Sequence, residues 1–197
     1  MHSTHIERWY PEPNGVALDL EMLGRLLHAC VENGASVSFV LPFSLEDAKA
    51  FWREQVLPAV IAGTRVVLLV RMPEEIVGTV QLDLATPPNQ PRRAEVRKLL
   101  VHPGVRRGGI ARSLMAAVED YAREAGRTLL TLDTVTGGAA EVLYLSMGYA
   151  KTGAIPGYAL NFDSSKLEST TVMYKELPPR GWRHAGSVGT PPRRAVD

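Results

Sequence analysis

One cysteine, Cys30, stands in the whole 197-residue chain, and a lone thiol cannot close an intramolecular disulfide. Charge of one sign is lacking too, since 22 lysines and arginines face 21 aspartates and glutamates. That balance gives no reason to expect nucleic acid or an anionic membrane as main partner. No apolar run is long enough to span a bilayer. Residues 1–14 are polar and lack the apolar core of a signal peptide. The five histidines show no metal-ligand spacing, so no metal is expected. These shortages lead to the expectation of a soluble, cytoplasmic protein.

What is present is an ordinary core-forming composition, 45 % hydrophobic. The length fits one domain. The expectation is a single domain over 1–177 and a poorly ordered tail over 178–197, where proline, glycine and arginine dominate.

Leu18, Met22, Leu23, Leu26, Leu27 and Cys30 form one stripe, which predicts a helix over Val16–Asn33. Ser36–Leu41 reads as a short strand or extended arm. Ser44 with Asp47 resembles an N-cap, opening a second helix that runs to about Ile61 and bends near Pro58. Arg65–Met72 and Ile76–Leu84 read as a hairpin around Pro73-Glu74-Glu75. Ala94–Val101 is a further strand, Gly109–Ala125 an amphipathic helix, and Thr128–Asp133 a strand parallel to the first of these. Ala139–Met147 reads as a short helix, and Tyr149–Ala154 and Thr170–Leu177 as closing strands. The fold class is α/β, a mixed sheet flanked by helices. Trp52 is expected to pack in the second helix, whereas Trp9 and Trp182 lie in polar ends and suggest no role. Ile155-Pro156-Gly157-Tyr158 reads as a turn whose tyrosine either lines a pocket or covers the surface.

The most informative stretch is Glu95–Arg112, EVRKLLVHPGVRRGGIAR. A strand ends at Val101, a glycine-rich loop follows, and a helix starts near Gly109. Such a loop turns backbone N–H groups toward one point at the positive end of the helix dipole, a place for an anion. Gly108 and Gly109 let a phosphate come close, and Arg106, Arg107 and Arg112 add charge. No Gly-Lys-Ser/Thr follows and the glycines do not fit G-x-G-x-x-G, which excludes the usual nucleotide loops. A tight turn with solvated arginines remains the plain alternative.

Arg106-Arg107-Gly108-Gly109-Ile110-Ala111 resembles the Arg/Gln-x-x-Gly-x-Gly/Ala signature of the GNAT family of N-acetyltransferases. Ala140-Glu141-Val142-Leu143-Tyr144-Leu145-Ser146-Met147-Gly148-Tyr149 resembles that family's second signature. The resemblance implies a GNAT-like acyl-CoA N-acyltransferase fold with acetyl-CoA as co-substrate. It implies that the loop from Arg106 through Gly108, Gly109, Ile110 and Ala111 to Arg112 holds the pyrophosphate. It also implies that Leu100 and Val101 offer backbone groups to the pantetheine arm, and that Tyr144 lies beside the sulfur. Shorter segments, such as Arg93-Ala94-Glu95-Val96 and Leu132-Asp133-Thr134, are similar to the tabtoxin-resistance branch, which acetylates the amino group of a β-lactam toxin. One position departs: many members carry asparagine where this chain has Gly137.

Acetyl transfer needs a neutral amine, and deprotonating an alkylamine at neutral pH costs about 4 kcal/mol. A carboxylate can take that proton, directly or through water. Glu95 and Asp133 are the candidates, with ion pairing to Arg93, Arg97 or Lys98 as the alternative. Tyr144, with an ordinary pKa of about 10, can protonate the leaving thiolate. Cys30 sits on an apolar helix stripe and reads as core. The expected function is acetylation of a small-molecule amine by a monomer or homodimer. A non-catalytic acyl-CoA sensor and a modifier of protein N-termini or lysines stand as alternatives.

Overall fold

Ser44 shows how local chemistry starts an element here. In the computed structural model, which describes residues 5–178, its hydroxyl accepts from the Asp47 amide at 3.1 Å and the Asp47 carboxylate accepts from the Ser44 amide at 3.1 Å. This reciprocal capping box satisfies two helix-end donors and opens α2 (Leu45–Phe51). We predict that Ser44→Ala lowers unfolding free energy by about 1 kcal/mol, read as a shifted urea midpoint at unchanged slope; an unchanged midpoint refutes the role.

The second helix does bend, but upstream of Pro58. A π-helical turn spans Trp52–Val56 and α3 (Leu57–Ile61) follows, with Pro58 in its first turn. Proline cannot donate to the carbonyl four residues back and collides with it, and the wider turn absorbs that mismatch. Before these lies α1 (Val16–Glu32), close to its expected bounds. The arm Ser36–Leu41 contains bends rather than a strand. It is tethered where the Leu41 amide donates to the Phe162 carbonyl at 2.7 Å.

Seven strands form one sheet in the order β1-β2-β3-β4-β5-β7-β6. They are β1 (Ile6–Arg8), β2 (Arg65–Met72), β3 (Glu75–Asp83), β4 (Arg93–Val101), β5 (Leu129–Val135), β6 (Ala150–Leu160) and β7 (Leu167–Glu176). Helix α4 (Ile110–Glu124) connects β4 to β5, and α5 (Ala139–Ser146) connects β5 to β6. β4 and β5 run parallel; the other neighbours are antiparallel. This is a mixed α/β sheet covered on both faces. Val66, Leu68 and Val70 pack on the side of α4, while Val67 and Leu69 pack on the side of α1–α3. A strand buried on both faces reads as a continuous apolar run, as β2 does.

Two expectations need correction. The N-terminal segment read only as polar contains β1, and Trp9 is 2 % exposed. Its indole donates to Asp19 Oδ2 at 2.8 Å and meets Trp52 edge-on, with ring centroids 6.4 Å apart. Three-residue strands carry too few positions to show alternation, so sequence pattern alone misses them. The Ile155–Tyr158 turn is not a chain reversal. It lies within β6, where residues 156–158 loop out opposite a single residue of β7, between the pairs Ile155–Thr170 and Ala159–Glu168. The tail expected over 178–197, with Trp182, falls outside the described residues beyond Pro178.

β4 carries the irregularities that shape the site. Gln81 pairs with Arg97 and Thr79 with Leu100, so Lys98 and Leu99 both stand opposite Val80. Lys98 takes a left-handed φ of 49°, as a bulge residue does. Pairing with β5 covers only Arg93–Glu95 against Leu129–Thr131. Beyond that point the two strands continue without pairing to each other and leave a wedge.

Candidate active site

Two cavities lie along the wedge between β4 and β5. One cavity is walled by Leu100, Val101, the Arg106–Arg112 segment and Leu143. The other holds Arg97, Lys98, Asp133, Tyr144 and Tyr158 behind the arm Ser36–Val40. Leu99 and Ala140 line both, so the two cavities adjoin.

Gly109 caps α4 with φ of 84° and no atom within 4 Å of where a Cβ would stand. Glycine takes this left-handed conformation at little cost. The Ser113 amide donates to the Gly109 carbonyl at 3.0 Å, so the amides of Ile110, Ala111 and Arg112, which precede it, have no intrahelical acceptor. They open at the positive end of the helix dipole. Arg107, with φ of 68°, is held in the same strained region. Arg112 reaches across and donates to Ser146 Oγ at 2.7 Å, tying the glycine loop to α5.

The His102 amide donates to the Val77 carbonyl at 2.8 Å. Alternation along β4 then aims Val101's N–H and C=O away from β3, into the wedge, and Leu100's toward β3. The Val101 carbonyl accepts from Arg106 Nε at 3.3 Å and from the Cys30 thiol at 3.5 Å. Of the two residues expected to offer backbone groups, Val101 faces the wedge and Leu100 contributes wall. Cys30 is buried and its thiol is pushed up by burial, with Arg106 opposing. A buried thiol held above its usual range is a poor nucleophile.

A sequence profile described as the acetyltransferase (GNAT) family matches residues 23–149. The chain belongs to this family. Its relatives include rat N-acetyltransferase 8B and human N-acetyltransferase 8, each 39 % identical over 82 residues. Those matches span 41 % of this chain and 37 % and 36 % of the relatives, little more than a third of their length. Among solved structures, ribosomal-protein-alanine N-acetyltransferase from Brucella melitensis superposes with a TM-score of 0.70 at 23 % identity, over 88 % of this chain and 99 % of that one. The Salmonella typhimurium protein yncA, solved with its cofactor acetyl-CoA, gives 0.68 at 17 % identity, over 92 % and 99 %. Both share the GNAT fold, the mixed sheet that the two sequence signatures imply.

The departure at Gly137 has a backbone reason. Its φ is 76°, which glycine and asparagine tolerate best. Its amide donates to Glu141 Oε2 at 2.6 Å. The Lys151 ammonium, 2.7 Å from Glu141 Oε1, and that amide hold the Glu141 carboxyl below its usual range.

The candidate proton-handling groups differ in their surroundings. Tyr144 is 6 % exposed, and burial first and the Asp133 charge second push its phenol far above the usual value. Glu95 sits between Arg93 at 3.5 Å and Arg97 at 3.4 Å. Asp133 lies exposed at the end of β5, outside every ion pair among the described residues. The sequence suggests Lys98 only as an ion-pair partner; its bulge turns it into the cavity instead. No motif marks a bulge, so only the backbone shows this. Among the described residues no cluster of His, Cys, Asp and Glu could hold a metal, and no helix is long and apolar enough to cross a membrane.

Proposed function

We propose that this protein transfers an acetyl group from acetyl-CoA to the primary amine of a small molecule. The observation that carries this reading is the wedge itself, which leads from the open helix mouth at Gly109 to Tyr144 and Asp133. Arg106, Arg107, Gly108 and the amides of Gly109, Ile110, Ala111 and Arg112 would hold the diphosphate. The Val101 carbonyl and amide, with Leu100 as wall, would take the pantetheine arm in strand-like pairing. The open space at Gly109 fits an anion that approaches the backbone. Bound there, the coenzyme supplies an activated acetyl thioester.

Asp133 orients the amine and accepts its proton, directly or through a water. Tyr144 keeps its proton at neutral pH, because burial and a nearby negative charge both disfavour the phenolate, and donates it to the departing thiolate. Glu95, already between two arginines, serves to position Arg97. The cavity of about 450 Å³ behind the arm supports a small acceptor over a protein side chain.

Thiol release from acetyl-CoA across an amine panel tests the reading. Tight coenzyme binding without turnover on any amine would favour an acyl-CoA sensor. Within an active enzyme, Asp133→Asn is expected to lower kcat/KM for the amine about tenfold, below the roughly hundredfold at which general-base effects begin, because water takes over part of the proton transfer. Glu95→Gln should cost less than about threefold by the same reasoning. The reverse ranking would move the proton acceptor to Glu95.

A further inference from the structure

The acceptor cavity contains a cation, Lys98, that no carboxylate among the described residues contacts directly. Along β2, β3 and β4 the charges are matched: Asp83 lies 2.5 Å from Arg65 and 3.3 Å from Arg97, and Glu95 takes Arg97 and Arg93. Lys98, the next residue, is outside this row. Its Nζ donates to the Val37 carbonyl at 2.7 Å and to Ser38 Oγ at 3.0 Å, both neutral acceptors. It lies 5.3 and 5.8 Å from the centroids of Phe39 and Phe51.

An ammonium has three donors, and these two bonds leave one for the cavity. Among the described residues Lys98 forms no ion pair. Burial first, and Arg97 second, lower its pKa to about 8, and the more distant Asp133 and Glu95 offset this only in part. Such a group is stabilised by any anion that enters beside it. The cavity is thus lined by two cations, Arg97 and Lys98, and one carboxylate, Asp133. Arg97 is already matched by Asp83 and Glu95, so Lys98 and Asp133 remain as one unmatched charge of each sign, and a purely cationic amine answers only one of them. A molecule carrying both signs answers both.

We propose that the acceptor is an amino-acid-like molecule bearing a carboxylate beside its amine, with Lys98 receiving the carboxylate, Arg97 at the rim, and Asp133 facing the amine. This rests on the acetyl-transfer reading above. It makes Lys98 a specificity-determining residue, distinct from the groups that move protons.

The test compares initial rates, at saturating acetyl-CoA, for free amino acids, their carboxamides and their decarboxylated amines. The amine of a carboxamide is the less basic of the pair, near the α-amino range of about 8. Intrinsic reactivity at neutral pH therefore favours the carboxamide, and a preference for the acid must come from the pocket. We expect free acids to exceed carboxamides at least tenfold in kcat/KM. Lys98→Gln, which keeps a donor for Val37, should shrink that ratio at least fivefold, and Lys98→Arg should retain most of it. Because the ratio is internal to each variant, a loosened arm cancels out of it. Carboxamides or simple amines that match the acids in the wild type overturn the inference. A ratio that survives Lys98→Gln does so as well. Turnover without preference leaves acetyl transfer standing and removes only this inference; no thiol release from any class removes both.

Discussion

Gly109→Asp should abolish most coenzyme binding while leaving the protein folded. The substitution places a carboxylate into the open space at the start of α4, where the amides of Ile110, Ala111 and Arg112 would face a diphosphate. Like charges about 5 Å apart cost on the order of 1–3 kcal/mol at the dielectric of a protein surface. That alone weakens affinity about ten- to a hundredfold. Aspartate accepts the left-handed φ of 84° better than most residues, so backbone strain contributes little. Gly109→Asn supplies the control, with the same shape and no charge. Calorimetry should show a large loss for aspartate and a small one for asparagine. Equal losses would mean that shape, not phosphate, governs this loop. Normal affinity in both would move the coenzyme elsewhere.

Tyr144→Phe should lower kcat about a hundredfold, the lower end of general-acid effects, with coenzyme affinity within about threefold. The phenol lies in the wedge against Tyr149, with ring centroids 5.7 Å apart, and phenylalanine fills the same space. Burial and Asp133 raise its pKa, so the folded protein keeps this proton up to a pH where free tyrosine has lost it. The donor is therefore present across the neutral range, and its removal should scale the pH–rate profile down without moving its limbs below about pH 9. An unchanged kcat takes Tyr144 out of the mechanism. A lost alkaline limb would mean that it titrates within the working range.

Much of the scaffold is legible in the sequence because its long elements repeat a clear period. The stripe from Leu18 to Cys30 and the amphipathic run after Gly109 each mark a helix. The valine- and leucine-rich stretch from Arg65 marks a strand buried on both faces. Ser44 with Asp47 marks a cap by chemistry alone. The glycine loop is legible for the same kind of reason, since closely spaced glycines before a helix imply a backbone-lined anion site. What escapes is set by tertiary geometry. The bulge at Lys98 depends on β3, and the wedge depends on where β4 and β5 stop pairing. The choice between Glu95 and Asp133 depends on which arginines fold against them. Trp9 reads only as a residue in a polar end until β1 brings it against Trp52.

The loop-out of residues 156–158 has a consequence for the sheet's outer margin. β6 is the last strand, and nearly all of it is solvent-exposed. A long free margin of that kind invites pairing with a stranger. Pro156 offers no N–H, and the loop-out breaks the straight line of donors that another chain would need. The same detour carries Tyr158 to the acceptor cavity. Straightening the strand by deleting these residues would thus do two things at once: remove one wall of the pocket and hand the molecule an adhesive border.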